Sequence, residues 1–347
     1  MREWELVRYE PRFRAPLLEL MELVQGHPTT SEEFQWEFER NPAGDLNIFL
    51  AMQDGQIIGC SCHNTFRMQV DDREVVASFP LNVLTHPRHR GRGIFSHLEM
   101  ANEEHARSIG VPFMLSFPNE QSTSIFLNKL GWTRAKPPRL LVRPGRLDEL
   151  ARRLLSRASP GTDVPPAGQG DPLLDSTIGV IKGGDLELSP IDSFGSWSSE
   201  LSESFPARRC IARSADYLNW RFRDHPSGRY QVFSVHRSGD QVGSVVLGMI
   251  EKRGFPVGYV ANAMFLSDAW DVYEKVRGLT SRFLRSQGAA LCLDMTSPMR
   301  TIQDELRGGY LPFPRALNLI YKPLDPSFDS GSFARGWTFQ VGDLDFF

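Results

Sequence analysis

The chain carries one spaced pattern of aromatic residues, proline and glycine twice. The segment 36–44 reads WEFERNPAG and the segment 220–228 reads WRFRDHPSG, so Trp, Phe, Pro and Gly recur at an offset of 184 residues. The same offset relates two further pairs, Phe49 with Phe233 and Gly59 with Gly243. A repeat at constant offset indicates a duplicated structural unit, and 347 residues suffice for two domains. The alternative is two unrelated helix–turn–strand units that share common residue types.

Each copy is predicted to contain an aromatic-rich helix, a proline that ends it, and a β-hairpin. The apolar runs 47–52 and 230–235 predict the first strand of each hairpin. The dipeptides Asp54-Gly55 and Gly239-Asp240 are typical of the turns that follow. We expect the core to contain the aromatic residues of both helices: Phe34, Trp36, Phe38, Tyr217, Trp220 and Phe222.

A run rich in proline and glycine, residues 159–172, separates the two copies. It is predicted to be a linker because it cannot form a packed element. Residues 147–157 before it predict a short connecting helix, and the aromatic residues of the tail predict that the tail docks. The predicted organisation is a first domain, a connecting segment, a second domain and a docked tail, at residues 1–145, 146–175, 176–325 and 326–347.

The composition excludes several classes of protein. Hydrophobic residues make up 41% and charged residues 23% of the chain, which is typical of a globular protein. A net charge of −3 leaves no overall basic field for nucleic acid or a membrane surface. No run approaches the ~18 apolar residues of a membrane-spanning helix, and residues 1–5 lack the apolar core of a signal peptide. We therefore expect a cytoplasmic protein with reduced cysteines.

A glycine-rich loop follows a predicted strand in the first copy and leads into a predicted helix. Residues 82–85 predict the strand, residues 93–109 show helical periodicity, and residues 113–117 form an apolar run typical of a buried parallel strand. The apolar stripe of this helix is predicted to contain Ile94, Leu98, Ala101, His105 and Ile109.

The loop is predicted to bind an anion. A helix N-terminus carries unpaired N–H groups and about half a unit of positive charge. Gly91 and Gly93 allow a ligand to approach the main chain closely. Three side chains add local positive charge: Arg88, Arg90 and Arg92. A pyrophosphate is the natural ligand for this arrangement.

This segment resembles motif A of the GNAT acetyltransferases, whose loop reads R/Q-x-x-G-x-G/A. The matching register is Arg90-Gly91-Arg92-Gly93-Ile94-Phe95. The strand 113–117, Asn119 and the turn 129–132 resemble motif B of that family. The resemblance covers about residues 1–145, and about 175–325 as a degenerate copy. It implies a mixed α/β (α+β) fold of two GNAT-like domains, each with a mostly antiparallel mixed sheet flanked by helices.

The resemblance also implies a site for acetyl-CoA as acyl donor, with CoA as product and no metal. Strand residues Val83, Leu84 and Thr85 would border the pantetheine arm, with main-chain groups of the first and third pairing with it. Asn119 would bind the pantetheine or support the thioester. The pyrophosphate would be held by the backbone N–H groups of Arg90, Gly91, Arg92, Gly93, Ile94 and Phe95.

The sequence departs from the family pattern in three places. Phe95 is bulky where a small residue is usual, which could narrow the pyrophosphate site. The family often has a Tyr in the helix after motif B, whereas this chain has Phe126-Leu127 there and no Tyr from 119 to 132. The usual general acid is therefore missing, although a thiol with a pKa of about 8.5 leaves readily as thiolate. The segment 266–271 of the second copy lacks glycine and contains two aspartates. We therefore predict that the second domain binds no acyl-CoA and instead shapes an acceptor pocket.

Several side chains are candidates for catalysis, each with an alternative. Glu120 is a candidate general base or a solvated acid at a helix start. Ser116 and Ser122 are candidate donors to the thioester or thiolate, and Ser122 is alternatively a helix N-cap. His63 is expected at the end of a strand, where it could face the cleft. The acidic tail supplies further candidate bases: Asp343, Asp345 and the carboxylate of Phe347.

The resemblance favours an N-acyltransferase that moves an acetyl group from acetyl-CoA to an amine of a small molecule or peptide by direct attack. Two alternatives stay open. One is a non-catalytic acyl-CoA-binding scaffold, which the missing Tyr motivates. The other is an aminoacyl transferase that uses charged tRNA, as in the Fem-type enzymes, against which the acidic balance and intact loop argue. The acceptor and the oligomeric state cannot be read from the sequence.

Overall fold

The computed structural model describes residues 3–44, 47–146, 173–174, 178–252, 254–297, 300–314, 317–328 and 331–344. The predicted connecting helix and linker lie outside these residues. In chain order the strands are β1 (Glu5–Arg8), β2 (Asn47–Gln53), β3 (Gln56–Val70), β4 (Arg73–Thr85), β5 (Phe113–Ser116), β6 (Thr133–Ala135), β7 (Leu140–Pro144), β8 (Ile181–Gly183), β9 (Leu186–Pro190), β10 (Arg209–Ile211), β11 (Tyr230–Arg237), β12 (Asp240–Lys252), β13 (Phe255–Phe265), β14 (Leu291–Met295), β15 (Leu311–Pro312) and β16 (Leu319–Pro323).

The α-helices of the described residues are α1 (Arg14–Gln25), α2 (Ser31–Phe34), α3 (Ile94–Ser108), α4 (Glu120–Lys129), α5 (Trp197–Glu203), α6 (Ala215–Leu218), α7 (Tyr273–Ser286) and α8 (Ile302–Arg307). Shorter 3-10 or π-helical segments cover Pro11–Phe13, Gln35–Glu39, Pro87–His89, Asn219–Arg223, Trp270–Val272, Pro326–Phe328 and Val341–Asp343. None of these helices is both long enough and apolar enough to cross a membrane.

The chain forms two compact units whose segments alternate along the sequence. Unit 1 contains Met1–Pro137, Arg208–Ala212 and Leu317–Trp337, and unit 2 contains Pro138–Ala207, Arg213–Ala316 and Thr338–Phe347. The predicted domains, residues 1–145 and 176–325, are contiguous in sequence, whereas each observed unit is assembled from three separate segments. Strand β7 pairs with β14 and β15 in unit 2, and β16 pairs with β5 and β6 in unit 1. Each exchanged strand therefore satisfies two strand edges that would otherwise be unpaired.

Unit 1 is built on a sheet in the order β1-β2-β3-β4-β5-β16-β6, with β10 paired to the far end of β3. The sheet is mostly antiparallel, as predicted, and β4 and β5 form its parallel pair. Residues alternate between its two faces, as in any strand. Ile48 and Leu50 pack under α1, while Ala51 packs with Ile94 and Leu98 of α3. The sheet therefore lies between α1 and α3.

Unit 2 is built on a second sheet, in the order β15-β7-β14-β13-β12-β11-β9-β8. It is again mostly antiparallel, and its parallel pair is β13 with β14. Helix α7 covers one face through Val276, Leu279 and Leu284, which join a large cluster with apolar residues of the central strands. The mixed α/β fold of two sheets flanked by helices is thus confirmed.

Residues related by the offset of 184 adopt the same local structure. Thr30 and Ser214 each cap a four-residue helix by accepting a backbone N–H three residues later. Both helices continue into a π-helical turn, Gln35–Glu39 in unit 1 and Asn219–Arg223 in unit 2. The first hairpin turn contains Asp54-Gly55 as predicted, but the second contains Ser238-Gly239, where both residues have positive φ. The prediction of Gly239-Asp240 was therefore one residue late.

The turn after each π-helix is held by a buried side chain at matching positions. Asn41 accepts the N–H of Ala43 at 2.8 Å, and Nδ1 of His225 accepts the N–H of Ser227 at 3.2 Å. Burial, followed by the positive charges of Arg229 and Arg221, lowers the pKa of His225 to about 2. His225 is therefore neutral in the folded protein throughout the range in which an ordinary histidine takes up a proton.

We expect unit 2 to lose stability on mild acidification through His225. The unfolded chain protonates this residue near pH 6.5, whereas the folded chain does not, so the stability that it contributes is lost as pH falls below 6.5. Between pH 7 and pH 5 the loss is about 2 kcal/mol for one such group. The test is urea unfolding of the wild type and His225→Asn across this window. Equal pH dependence in the two proteins would contradict the assignment.

Candidate functional site

Strand β4 diverges from β5 halfway along its length. Among the described residues, β4 pairs with β5 only where Ser78 lies beside Met114, although β4 continues to Thr85. The register with β3 shifts at Leu81, between the pairs His63–Pro80 and Cys62–Asn82. Such a bulge leaves one residue without a cross-strand partner and bends the strand. The second half of β4 therefore has an open edge on the side of β5.

The backbone groups on this open edge belong to Val83 and Thr85. The N–H of His86 donates to the carbonyl of Ile58 in line with β3, at 2.9 Å. Because hydrogen-bonded positions alternate along an antiparallel pair, even-numbered residues here bond to β3 and odd-numbered ones face the other edge. Arg90 agrees with this direction, since its Nε donates to the outward carbonyl of Thr85 at 3.5 Å. The backbone N–H and C=O groups of Leu84, in contrast, point toward β3.

The glycine loop follows the open edge directly. After the 3-10 turn Pro87–His89, Gly91 and Gly93 adopt φ values of 79° and 74°, which favour glycine. No protein atom lies within 4 Å of the position that a Cβ on Gly91 would occupy. The main chain at this point therefore faces open space.

The loop leads into a helix N-terminus that no side chain caps. Gly93 is the N-cap of α3, no side chain caps the helix, and no acidic residue lies in its first turn. The backbone N–H groups of Ile94 and Phe95 therefore keep their capacity for an external acceptor, in the positive end of the helix dipole. The predicted helix 93–109 is observed as Ile94–Ser108.

The three arginines of the loop differ in their contacts. Arg92 donates to Glu3 at 2.7 Å, to Gln53 at 3.0 Å and lies 2.8 Å from Nδ1 of His89. Its charge therefore serves to hold the loop against the first residues of the chain. Arg88 is exposed, as is Arg90, whose contact with the β4 edge is described above. These two keep solvent-accessible positive charge beside the helix N-terminus.

His86 and His89 support the loop. Nδ1 of His86 accepts the N–H of Arg88 at 3.2 Å, and the two histidine rings pack edge to face. Partial burial, followed by electrostatic interaction with His89 and Arg88, lowers the pKa of His86. Within the described part of the chain, no cluster of three or more His, Cys, Asp or Glu side chains could hold a metal ion.

The ring of Phe95 turns away from the loop. It packs edge to face on Phe126 at 5.4 Å, and Phe126 in turn packs on Trp132 at 4.7 Å between ring centroids. The bulk of Phe95 therefore fills space beneath α4, and the loop is not narrowed by it. Phe126 is buried in this cluster and Leu127 packs against it, so both residues named in place of a tyrosine have apolar surroundings.

The candidate residues after β5 lie at one helix start. Asn119 is the N-cap of α4, with its Oδ1 accepting the N–H of Ser122 at 2.9 Å. The alternative assignment of Ser122 as N-cap was wrong, because Ser122 already lies in the first turn. Glu120 begins the helix and is exposed. Ser116 is buried at the end of β5 and donates to the carbonyl of Pro80 at 3.4 Å, across the divergence of the strands.

His63 lies in the middle of β3 and does not face a cleft. It is 1% exposed, and its ring nitrogens contact Oγ of Ser78 at 3.0 Å and the carboxylate of Glu99 at 3.1 Å. Ser61 donates to the same Glu99 oxygen at 2.6 Å and accepts from Asn102 at 2.7 Å. The expectation of a strand end was wrong because β3 continues seven positions past His63, to Val70.

This polar network changes the predicted apolar stripe of α3. Ile94 and Leu98 are buried as expected, but Ala101 and His105 are only half-buried and Ile109 is 50% exposed. Glu99 and Asn102 take the buried positions instead. Sequence reasoning missed them because acidic and amide side chains are expected on the solvent face unless a partner is known.

The tail is divided between the two units: its residues up to Trp337 belong to unit 1, and those from Thr338 onward belong to unit 2. The side chain of Asp343 is 1% exposed and accepts from Arg213 at 2.7 Å and from the hydroxyl of Tyr217 at 3.0 Å. It is therefore no free base. Two other candidates of the tail, Asp345 and Phe347, lie outside the described residues.

The segment of unit 2 that corresponds to the glycine loop contains no glycine and has two acidic residues. The segment 266–271 runs through a turn into the 3-10 helix at Trp270–Val272, and the carboxylate of Asp271 pairs with Arg237 at 3.0 Å. Its second acid, Asp268, is exposed. An anion would meet negative charge at this position.

Comparisons with known proteins identify relatives of the segment that contains the glycine loop. Residues 13–135 match the family model described as "Acetyltransferase (GNAT) domain". No curated protein sequence matches the chain significantly. A similar solved structure is the GCN5-related N-acetyltransferase from Anabaena variabilis, with a TM-score of 0.62 and 10% identity, covering 93% of this chain and 73% of that one.

Two further solved structures share the fold. A probable N-acyltransferase from Enterococcus faecalis V583 has a TM-score of 0.60 and 10% identity, covering 94% of this chain and 73% of that one. The N-myristoyltransferase of Saccharomyces cerevisiae with bound myristoyl-CoA has a TM-score of 0.61 and 10% identity, covering 98% and 87%. At these identities the likeness shows the fold, while the family match rests on the sequence of residues 13–135. Similarity to the GNAT acetyltransferase domain is therefore shown in the sequence of residues 13–135.

Proposed function

We propose that unit 1 binds acetyl-CoA and transfers its acetyl group to an amine on a small molecule or peptide. The observation that carries this proposal is a set of ligand-binding groups that follow one another along the chain. The open edge of β4 at Val83 and Thr85 runs directly into the loop at Gly91 and the uncapped start of α3. An elongated ligand with amides at one end and a pyrophosphate at the other fits this sequence of groups.

In the proposed complex the pantetheine arm pairs with β4 as an added strand. Val83 and Thr85 supply the outward N–H and C=O groups for its amides. The pyrophosphate lies at the N–H groups from Gly91 to Phe95, beside the exposed side chains of Arg88 and Arg90. Asn119 uses its Oδ1 within α4, so its NH2 group remains the donor for the pantetheine or thioester.

The transfer itself needs a deprotonated amine. Its nitrogen attacks the thioester carbonyl carbon, a C–N bond forms, the C–S bond breaks, and CoA leaves as thiolate. Because a thiol ionises near pH 8.5, this departure needs little help from an acid, which suits a site with Phe126 where the usual Tyr is missing. Glu120 is the proposed acceptor of the amine proton, since it is exposed at the start of α4, four residues after the end of β5.

The length of the acyl chain is part of the test. The similar yeast N-myristoyltransferase was solved with bound myristoyl-CoA, so a long-chain donor is the alternative to acetyl-CoA. The experiment is a calorimetric titration of the full chain with acetyl-CoA and with myristoyl-CoA, followed by thiol release with a panel of amines.

We expect one binding site for acetyl-CoA and turnover with at least one amine. At a ligand concentration 100-fold above Kd, unit 1 should gain about 2.7 kcal/mol of stability. Tighter binding of myristoyl-CoA would shift the assignment to a long-chain acyltransferase. Binding without thiol release from any amine would favour the non-catalytic scaffold. No binding of either donor at millimolar concentration would contradict the proposal.

A further inference from the structure

Unit 2 repeats the strand divergence of unit 1. The parallel pairing of β13 with β14 ends where Tyr259 lies beside Leu293, although β13 continues to Phe265. The register between β12 and β13 shifts at Ala261, between the pairs Leu247–Val260 and Val246–Asn262. Cys62 of the first bulge and Val246 of the second are related by the same offset of 184. The second half of β13 therefore corresponds to the open half of β4.

The direction of the backbone groups is also the same. The N–H of Leu266 donates to the carbonyl of Val242 at 3.0 Å, as that of His86 does to Ile58 in unit 1. Even-numbered residues of β13 therefore bond to β12, and the N–H and C=O of Ala263 face the edge beyond which β14 has diverged. Ala263 thus occupies the position that Val83 has in unit 1.

In unit 2 this edge has an occupant from the same chain. The side-chain amide of Gln340 accepts the N–H of Ala263 through Oε1 at 2.6 Å and donates through Nε2 to the carbonyl of Ala263 at 3.1 Å. The primary amide of Gln340 thus supplies the two hydrogen bonds that one residue of an added antiparallel strand would supply through its own N–H and C=O. The acidic segment 266–271 beside it offers nothing for a pyrophosphate.

The segment that carries Gln340 is held from both sides. Arg213 and Tyr217 bind the carboxylate of Asp343, as described above. Nε of Arg221 donates to the carbonyl of Gly342 at 2.6 Å. A Cβ on Gly342 would lie 2.8 Å from the carbonyl oxygen of Ala261, so the segment passes against the bulge itself. The cavity bordered by Ala263 and Gln340 is only about 20 Å³, too small for a ligand.

We propose that the segment Thr338–Leu344 is an internal ligand of unit 2. Its Gln340 side chain occupies the strand edge at Ala263 that unit 1 leaves open for an acyl donor. The site retains the ability to bind a primary amide, and the side chain of Gln340 is the amide that fills it. Unit 2 is therefore closed to acyl-CoA by the occupied edge as well as by the missing glycine loop.

The test is backbone hydrogen exchange at Ala263 in the full chain. Gln340→Met keeps the length of the side chain and removes both hydrogen bonds, so exchange at Ala263 should accelerate at least tenfold. The matched control is Gln241→Met, at an exposed position of β12 in the same unit, which should leave Ala263 unchanged. Equal exchange at Ala263 in the wild type and Gln340→Met would overturn the proposal.

A second variant tests the site as an amide site. Gln340→Gly removes the side chain, and added propionamide should restore slow exchange at Ala263 in this variant while leaving the wild type unchanged. If propionamide has no effect on the variant, the edge does not recognise amides and the proposal is wrong. Neither readout uses acyl-CoA, so both are independent of the function proposed for unit 1. If two acetyl-CoA molecules bind per wild-type chain, the conclusion that unit 2 is closed to acyl-CoA is wrong. The function proposed for unit 1 is not contradicted by that result.

Discussion

Gly91→Glu is expected to weaken acetyl-CoA binding at least 100-fold, which corresponds to about 2.7 kcal/mol. Gly91 has a φ of 79°, and no protein atom lies within 4 Å of the place where a Cβ would stand, so a new side chain points into the space that the proposed pyrophosphate occupies. A carboxylate there repels the ligand and covers the N–H groups at the start of α3. The measurement is a calorimetric titration with acetyl-CoA.

The matched control for this variant is Gly110→Glu. Gly110 follows the opposite end of α3, has a φ of 78°, and likewise has no atom within 4 Å of an added Cβ. Both substitutions introduce the same charge and the same backbone strain of about 1–2 kcal/mol. Only the one at Gly91 should affect binding. If both variants lose affinity equally, the effect comes from the helix as a whole and the loop does not hold the ligand.

The elements around the glycine loop were predictable from sequence because local signals agree there. Helical periodicity over 93–109 gave a helix observed at Ile94–Ser108, and the apolar run 113–117 gave a strand observed at Phe113–Ser116. The helix lies between Gly93 and Gly110 and the strand lies between Pro112 and Pro118, and both residue types end an element on local grounds. The helix and the strand that border the proposed pyrophosphate site could thus be inferred from the sequence alone.

Pairing between distant segments could not be predicted in the same way. Strand β4 was expected at 82–85, yet it begins at Arg73, because its first half is stabilised by pairing with β3. The exchange of β7 and β16 depends equally on which sheet has a vacant edge, and a single sequence does not contain that information. The same holds for Gln340, whose partner Ala263 lies 77 positions away.

The burial of charged side chains was also not predicted from the sequence. Glu99 and Arg277 lie on helical faces that sequence reasoning assigns to solvent, because a charged residue is rarely buried without a partner. The partners come from other elements: His63 on β3 for the first, and Asp294 on β14 for the second. Only the assembled fold shows that these charges are paired.

The largest loss of stability is expected for Arg277→Leu in unit 2. Arg277 is 2% exposed, donates to Asp294 and to Glu305 at 2.7 Å each, and stacks on Tyr310 at 4.0 Å from the ring centroid. Removing the cation leaves two buried carboxylates without it, which typically costs about 3–5 kcal/mol. Arg300, whose Nε lies 3.6 Å from Glu305, retains one weaker contact and favours the lower part of that range.

The effect of Arg277→Leu should depend on pH in a defined direction. Burial raises the pKa of Asp294 and of Glu305, and Arg277 opposes this rise. Without Arg277 both values rise further above those of the unfolded chain, so the variant is most destabilised above the folded values. It recovers as pH falls through them and the carboxyls take up protons. Urea unfolding at pH 7 and pH 5 should therefore show a smaller difference from wild type at pH 5.

Two further variants separate the lost ion pairs from lost packing. Arg282→Leu removes an exposed arginine from the same helix and should change stability by no more than about 0.5 kcal/mol. The triple variant Arg277→Leu, Asp294→Asn, Glu305→Gln should be more stable than Arg277→Leu alone, since it no longer buries unpaired charge. If the triple variant is less stable instead, the hydrogen-bond geometry of the cluster contributes more than its charge. If Arg277→Leu is no worse than Arg282→Leu, the buried charges are compensated elsewhere in unit 2.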